Sequence, residues 1–211
     1  MSEKIKMPIK RPFKNVYQLK IKLLDTNPPV WRRILVPESY TFYDLHVAIQ
    51  NAMGWTDSHL HSFEIKLSMP MTNRKRILTI DCPFSELEDI NEGPIYMSTE
   101  ISIEGYLNKE KDKALYTYDF GDSWDHEIVL EKIMPKEKNI KYPICIDGKL
   151  ACPPEDCGST PGYYDCIDAF NKKDNSDGLL DWLGDWNPYE FDPKKIEFED
   201  PYKHLDFQLR D

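Results

Sequence analysis

The stretch from Leu115 to Ile133, LYTYDFGDSWDHEIVLEKI, limits the fold more than any other part of the chain. LYTYDF is a run of aromatic and β-branched strand formers, and Gly121-Asp122-Ser123 supplies a turn. In the returning arm Trp124, His126, Ile128 and Leu130 share one parity, while Asp125, Glu127 and Glu131 take the other. A period of two puts successive side chains on opposite sides of a pleated ribbon. The stretch therefore predicts an antiparallel hairpin with one buried and one wet face.

Similar logic applies at the start of the chain. Tyr17, Leu19, Ile21 and Leu23 alternate with Gln18, Lys20 and Lys22, which predicts a strand. DTNPP (Asp25–Pro29) reads as a turn, and VWRRILVP returns as a second strand. TFYDLHVAIQNAMGW predicts a helix. Thr41 is its N-cap with Asp44 three residues on, the apolar stripe is Phe42, Leu45, Ile49, Ala52 and Met53, and Gly54 is its left-handed stop. HLHSFEIKL alternates again, with His59, His61, Phe63, Ile65 and Leu67 on one face. The order hairpin, helix, strand is similar to a β-grasp start. RILTI reads as a short strand, DCPFSELEDINEGP as an acidic loop, and GYYDCIDAFNKK as a helix. DGLLDWLGDWNPYEFDPKKI reads as a short helix, an aromatic loop and a further short helix or extension. The expected architecture is α+β: a mainly antiparallel sheet built from hairpins with packed helices, in a single domain over residues 16–211 behind a flexible arm at 1–15.

Charge narrows the partners. The formal net charge is −10 over 211 residues, which repels phosphate backbones and argues against nucleic acid. The basic stretch KIKMPIKRPFK reads as a solvated tail. No window reaches the ~18 apolar residues of a membrane helix, and no apolar signal core follows the basic N-terminus. A cytoplasmic setting is expected, with a protein or a small molecule as partner. The five cysteines are then reduced unless catalytic or metal-bound.

Three groups of residues could carry chemistry. His59, His61 and His126 fall on the apolar faces of two strands, where an imidazole is either a bonded core group or a ligand at a cleft. DFGDSWDH gathers Asp119, Asp122 and His126 around a tight turn; the aspartates either cap the turn or bind a hard cation. Cys152 and Cys157 have C-x4-C spacing, with Cys145 seven residues earlier. Three thiolates with His61 or His126 suit zinc; the alternative is a stiff loop shaped by Pro153 and Pro154. Glu155 and Asp156 raise a neighbouring thiol's pKa, which weighs against a redox pair.

PPVWRRILVP, TFYDLHVAIQNAMGW, HLHSFEI, YTYDFGDSWDHEI, CPPEDCG, GYYDCIDAF and WLGDWNPYEFDP follow one another in the order of a known family. Over roughly residues 16–195 the chain resembles the Ri-plasmid open-reading-frame-three-like family. The resemblance implies an α+β domain of bacterial and archaeal occurrence, associated with plasmids or with passengers of insertion elements, and no settled activity. Carried onto this sequence, the family's polar positions make His59, His61, Asp119, Asp122, Trp124, His126, Glu155 and Asp156 the candidate cleft. The family's second glycine after CPPEDCG is replaced here by Ser159, at a place where a positive φ would favour glycine. The leading expectation is a non-enzymatic binding domain with this cleft as its groove. The alternatives are a metal-dependent hydrolase using His61, His126 and Asp122, and a module that zinc merely stabilises.

Overall fold

The computed structural model describes residues 5–68, 75–85, 95–173, 175–176 and 178–210. Residues 1–4 of the arm and 86–94 of the acidic loop lie outside the described residues. Eight strands form one sheet: β1 (Asn15–Leu23), β2 (Trp31–Pro37), β3 (His61–Ser68), β4 (Lys75–Asp81), β5 (Ile95–Met97), β6 (Lys113–Tyr118), β7 (Trp124–Pro135) and β8 (Ile144–Lys149). The helices are α1 (Phe42–Met53), α2 (Ser159–Lys172), α3 (Leu179–Leu183) and α4 (Pro201–Gln208), with 3-10 turns at Ile103–Gly105 and Pro193–Lys195. The sheet order is β5-β4-β3-β6-β7-β1-β2-β8, and every pairing but β4–β5 is antiparallel.

The opening hairpin, helix and strand form in the expected order, with β1 and β2 paired from Val16↔Pro37 to Lys22↔Trp31. The β6–β7 hairpin then lies between β1 and β3: Leu19 faces Leu130 on one side, and Phe63 faces Tyr116 on the other. The hairpin therefore occupies the middle of the sheet. Its inward residues Tyr116, Tyr118, Trp124, His126, Ile128 and Leu130 are all buried. The edge strand β8, a segment to which the sequence pattern assigns no element, pairs with β2 from Trp31↔Lys149 to Leu35↔Ile144. Its weak signal has a physical cause: every residue of β8 is exposed or half-buried, so no apolar alternation marks it.

Helix α1 starts where the capping box predicts. Thr41 Oγ1 accepts from the Asp44 backbone N–H at 3.1 Å, and the Thr41 N–H donates back to Asp44 Oδ2 at 2.8 Å. Gly54 ends it at φ 91. The apolar stripe packs on the sheet, and the opposite side is also covered. Tyr43 and Val47 pack on Leu205 of α4, with Ile5 and Met7 of the N-terminal segment against them. Ten of the twelve α1 residues are buried, among them the polar His46 and Gln50. A helix enclosed on two sides must satisfy any polar group it carries, and His46 and Gln50 lead directly to the site.

Candidate functional site

The chain leaves α1 through Gly54 and turns back at Trp55. The Trp55 ring stacks on Tyr118 at 5.0 Å and meets His126 edge-on at 5.3 Å, and its Nε1–H donates to the Pro153 carbonyl at 3.0 Å. One side chain thus joins the helix end, the central hairpin and the cysteine loop. The turn it anchors presents Asp57, His59 and His61 in succession.

Asp57 sits at φ 53, in the left-handed region that aspartate and asparagine tolerate better than most residues. Its side chain is 7% exposed and fully engaged. Oδ1 accepts from His46 Nε2 at 2.8 Å; Oδ2 accepts from His204 Nε2 at 2.9 Å and from Gln208 Nε2 at 2.8 Å. The proton order can be followed through the chain. Gln50 Oε1 accepts from the Asp57 backbone N–H, so Gln50 Nε2 is the donor to the Tyr116 hydroxyl at 3.0 Å. That leaves the Tyr116 proton for His46 Nδ1 at 2.8 Å. His46 protonated on Nε2 then donates to Asp57, and every member is satisfied. Burial opposes ionisation of Asp57, but the His46 and His204 contacts outweigh it and hold the carboxyl far below the usual range.

His61 stands apart from this chain of bonds. It is 2% exposed, its ring stacks on that of His46 with centroids 3.5 Å apart and 12° between planes, and its Nε2 has no hydrogen-bond partner among the described residues. Burial and the neighbouring His46 push its pKa well down, so it is neutral near pH 7. His46, Asp57 and His61 bring one ligand atom each to within 4.8 Å of one another. A cavity of about 330 Å³ lies beside them, lined by Asp57, His59, His61, Tyr43, Cys82 and Gln208 among others.

On the surface side of the same turn, His59 gathers the carboxylates that the sequence nominated. Its Nε2 lies 2.8 Å from Asp156 Oδ1, 3.8 Å from Asp119 Oδ2 and 4.0 Å from Glu155 Oε1. Burial works against a charged His59, yet Asp156, Asp119 and Glu155 outweigh it and raise its pKa. Glu155 is itself pinned, accepting from the Tyr118 hydroxyl at 2.6 Å and the Thr56 N–H at 3.0 Å. Asp119 accepts from the Gly121 N–H at 2.9 Å, the turn-capping role expected of it. Asp122 caps a different element: Oδ2 accepts from the Gly158 N–H at 3.1 Å, and its carbonyl accepts from Ser159 Oγ at 2.8 Å. Ser159 does adopt the positive φ, 63°, and that hydroxyl bond gives the serine a local tie that glycine would lack.

Two expectations need correction. Trp124 and His126 do not line a cleft: they are 3% and 0% exposed, sealed under Trp55 on the inward face of β7. His126 Nδ1 lies 3.3 Å from the Tyr116 carbonyl, and burial lowers its pKa to about 4, so it is a neutral core histidine. The thiols Cys145, Cys152 and Cys157 do not converge with His61 or His126 either. Among the described residues the three-member groups within metal-binding reach are His46–Asp57–His61 and His59–Asp119–Asp156, and neither contains a cysteine. Cys145 Sγ points along the edge strand to the Asp147 carbonyl at 3.5 Å, Cys152 is enclosed near Arg32, and Cys157 lies beside Cys166. Burial pushes the Cys157 thiol up to about 12, so it is protonated at neutral pH. By the same geometry, His61, His126 and Asp122 do not form one catalytic set.

His46, Asp57 and His204 were the functional candidates that sequence reasoning missed. A signal for each existed. His46 and Gln50 are polar residues at i and i+4 in a largely apolar helix, and Asp200-Pro201 is an N-cap followed by a first-turn proline that announces α4. The sequence ahead of His204 was thus readable as a helix start.

His204 bridges two carboxylates, Glu199 at 2.7 Å through Nδ1 and Asp57 at 2.9 Å through Nε2, so both nitrogens must carry protons. The bond to Asp57 raises its pKa, burial opposes, and Glu199 adds to the rise. A raised folded-state value gives stabilisation that is complete below the unfolded pKa of ~6.5 and is lost as pH climbs through the folded value. Amide exchange in α4, corrected for the intrinsic rate, should therefore accelerate relative to the central strands between pH 6 and pH 9. Unchanged relative protection would refute His204 as the latch that holds α4 to Asp57.

A model of the family described as plasmid pRiA4b ORF-3-like protein matches residues 15–199. The uncharacterised protein y4hQ of Sinorhizobium fredii is 31% identical over 172 residues, 81% of each chain. The crystal structure of a protein of unknown function from Methanosarcina mazei Go1 superposes with a TM-score of 0.76 at 40% identity, covering 90% of this chain and 100% of that one.

Proposed function

The chain belongs to the plasmid pRiA4b ORF-3-like family, whose description names no activity, and we propose from the chemistry of its site that it is a binding domain for a divalent transition-metal ion of the zinc class. The observation that carries the proposal is His61 Nε2, buried beside Asp57 and His46 without a partner among the described residues. A buried polar atom left unpaired costs about 1–3 kcal/mol, a cost that a bound ion would remove. Two neutral imidazoles and a carboxylate are a donor set that zinc accepts. The ion would take the place of the proton that His46 shares with Asp57. With the ion on Nε2, His46 would carry its proton on Nδ1 and donate it to the Tyr116 hydroxyl, the reverse of the present bond, which would fix the ring from behind.

The stacked rings set one condition. Stacked imidazoles keep their in-plane lone pairs in two nearly parallel planes, so one ring must tilt for both to point at a single ion. His46 is held at both nitrogens, so the ring that turns is His61. The adjoining cavity would leave a coordination position open to a small ligand. The proposed setting is the cytoplasm of a cell that carries or once carried a mobile element; an odd count of five cysteines supports a reducing compartment, and no helix among the described residues is long and apolar enough to cross a membrane.

Metal analysis and calorimetric titration with zinc, in a thiol-free phosphine reductant, test the proposal. One ion per chain is expected for the wild type and for Cys152→Ser, with at least 100-fold weaker binding in His61→Ala at unchanged circular dichroism. A wild-type chain that takes up no metal, or a His61→Ala chain that binds as the wild type does, would end it.

A further inference from the structure

A cavity of about 750 Å³ has none of His46, Asp57 or His61 in its lining. Its walls are the N-terminal segment at Ile9–Phe13, the β2–α1 turn at Pro37–Tyr40, the approach to β8 at Lys141–Cys145, and the segment Pro193–Pro201 that precedes α4. A volume of this size suits a drug-sized organic molecule. Phe13 and Tyr142 meet edge-to-face at 6.2 Å and make part of an apolar lining. Ile9, at the same cavity, is an apolar side chain left 71% exposed.

The charges around this cavity are not balanced. Each carboxylate that lines it is already engaged inside the protein: Asp44 in the α1 capping box, Asp200 with Lys10 at 2.6 Å, and Glu199 with His204 at 2.7 Å. Arg11, Lys141 and Lys194 line the same cavity and pair with no carboxylate among the described residues. The Tyr40 hydroxyl, also on the cavity, makes no hydrogen bond among the described residues and remains a donor. In a chain of net charge −10, three cations without a carboxylate partner and a phenol free to donate leave this cavity, lined by four cationic side chains and three carboxylates, a local excess of positive charge. Such a combination selects negative charge at the rim and apolar bulk inside.

We propose that this cavity binds a small amphipathic anion: an apolar body of roughly ten to fourteen carbons carrying one carboxylate or phosphate head. The body would lie against Phe13, Tyr142 and their apolar neighbours. The head would meet Arg11, Lys141 and Lys194 and accept from Tyr40. The function at the histidine pocket neither requires nor supplies this ligand.

Calorimetry on the full chain with monomeric laurate, dodecyl phosphate, dodecanol and dodecyltrimethylammonium tests it. Either anion should bind one per chain, with dodecanol at least tenfold weaker and the cation not measurably bound. Lys141→Glu/Lys194→Glu, two exposed sites whose reversal leaves the fold intact by circular dichroism, should weaken the anions at least tenfold and leave dodecanol unchanged. Tyr40→Phe should cost a few-fold. Equal binding of alcohol and anion, binding insensitive to the charge reversal, or no binding of either anion would overturn the proposal. Co-sedimentation with phosphatidylglycerol vesicles, in place of binding to the free amphiphiles, would also overturn it by making the patch a lipid-surface contact.

Discussion

Asp57→Asn is expected to lower the free energy of unfolding by about 3–5 kcal/mol, the range for removing one partner of a buried ionic network. The substitution isolates the charge. Asparagine keeps the volume and tolerates the left-handed backbone at φ 53, so neither packing nor strain accounts for the loss. Three donors converge on the carboxylate: His46 Nε2, His204 Nε2 and Gln208 Nε2. A carboxamide offers one acceptor oxygen and turns an N–H toward the rest. At least one buried donor then faces another donor, and the His204 cation loses a counter-charge. The depressed pKa of Asp57 gives the same network an acid limb: its stabilisation is present above the unfolded carboxylate value of ~3.9 and is lost as pH falls below it. Urea unfolding at pH 6.5 should show the full difference between wild type and variant, and the difference should shrink on acidification. Since α4 docks through this carboxylate, its amides should lose protection first. A variant within about 0.5 kcal/mol of wild type would show that water replaces the carboxylate, and the latch would then be a surface feature.

Much of the fold could be read from local pattern because local chemistry and tertiary packing agree there. The capping box at Thr41, the stop at Gly54 and the alternation in β1, β6 and β7 each satisfy both. Pattern carries no pairing information, however. β3 has the alternation of a strand, yet nothing in it says that its neighbours are β4 and β6 and not β1. Strand β8 is held by backbone bonds to β2 and by dispersed ties such as Asp147 to Arg33 at 2.8 Å, and its half-wet side chains carry no alternation that marks its place.

The candidate site divides along similar lines. His59, Asp119, Glu155 and Asp156 could be nominated because each belongs to a short, dense motif, and the fold brings these motifs together around Trp55 and Tyr118. The buried half was hidden because its members are dispersed. His46 lies in a helix, Asp57 in a turn and His204 close to the C-terminus, and no spacing relates them. His126 misled for the opposite reason: alternation correctly placed it on the inward face of β7, but inward at the middle of an eight-stranded sheet means core, not cleft.

Gly162→Ala is expected to cost at least about 3 kcal/mol, the upper end of ordinary overpacking, and to disorganise the site without touching it. A Cβ at this position would lie 1.7 Å from the Cys157 carbonyl oxygen and 2.7 Å from its carbon. The obstacle is backbone, so no rotamer change can relieve it. Either the first turn of α2 or the loop before it must move. That loop is tied down on both sides of the clash, by the Gly158 N–H and Ser159 hydroxyl to Asp122 and by the Pro153 carbonyl to Trp55. Displacing it carries Glu155 and Asp156 away from His59. The raised pKa of His59 depends on those carboxylates, so its titration reports the displacement directly. In the wild type the His59 ring should titrate above ~6.5; in Gly162→Ala it should fall back toward that value. His204, on the far side of Asp57, should keep its elevated titration if the damage stays in the loop. A variant with wild-type urea midpoint and an unshifted His59 would mean that the α2 entry yields freely, and that the C-P-P-E-D-C-G loop is not the rigid wall its prolines and buried contacts imply.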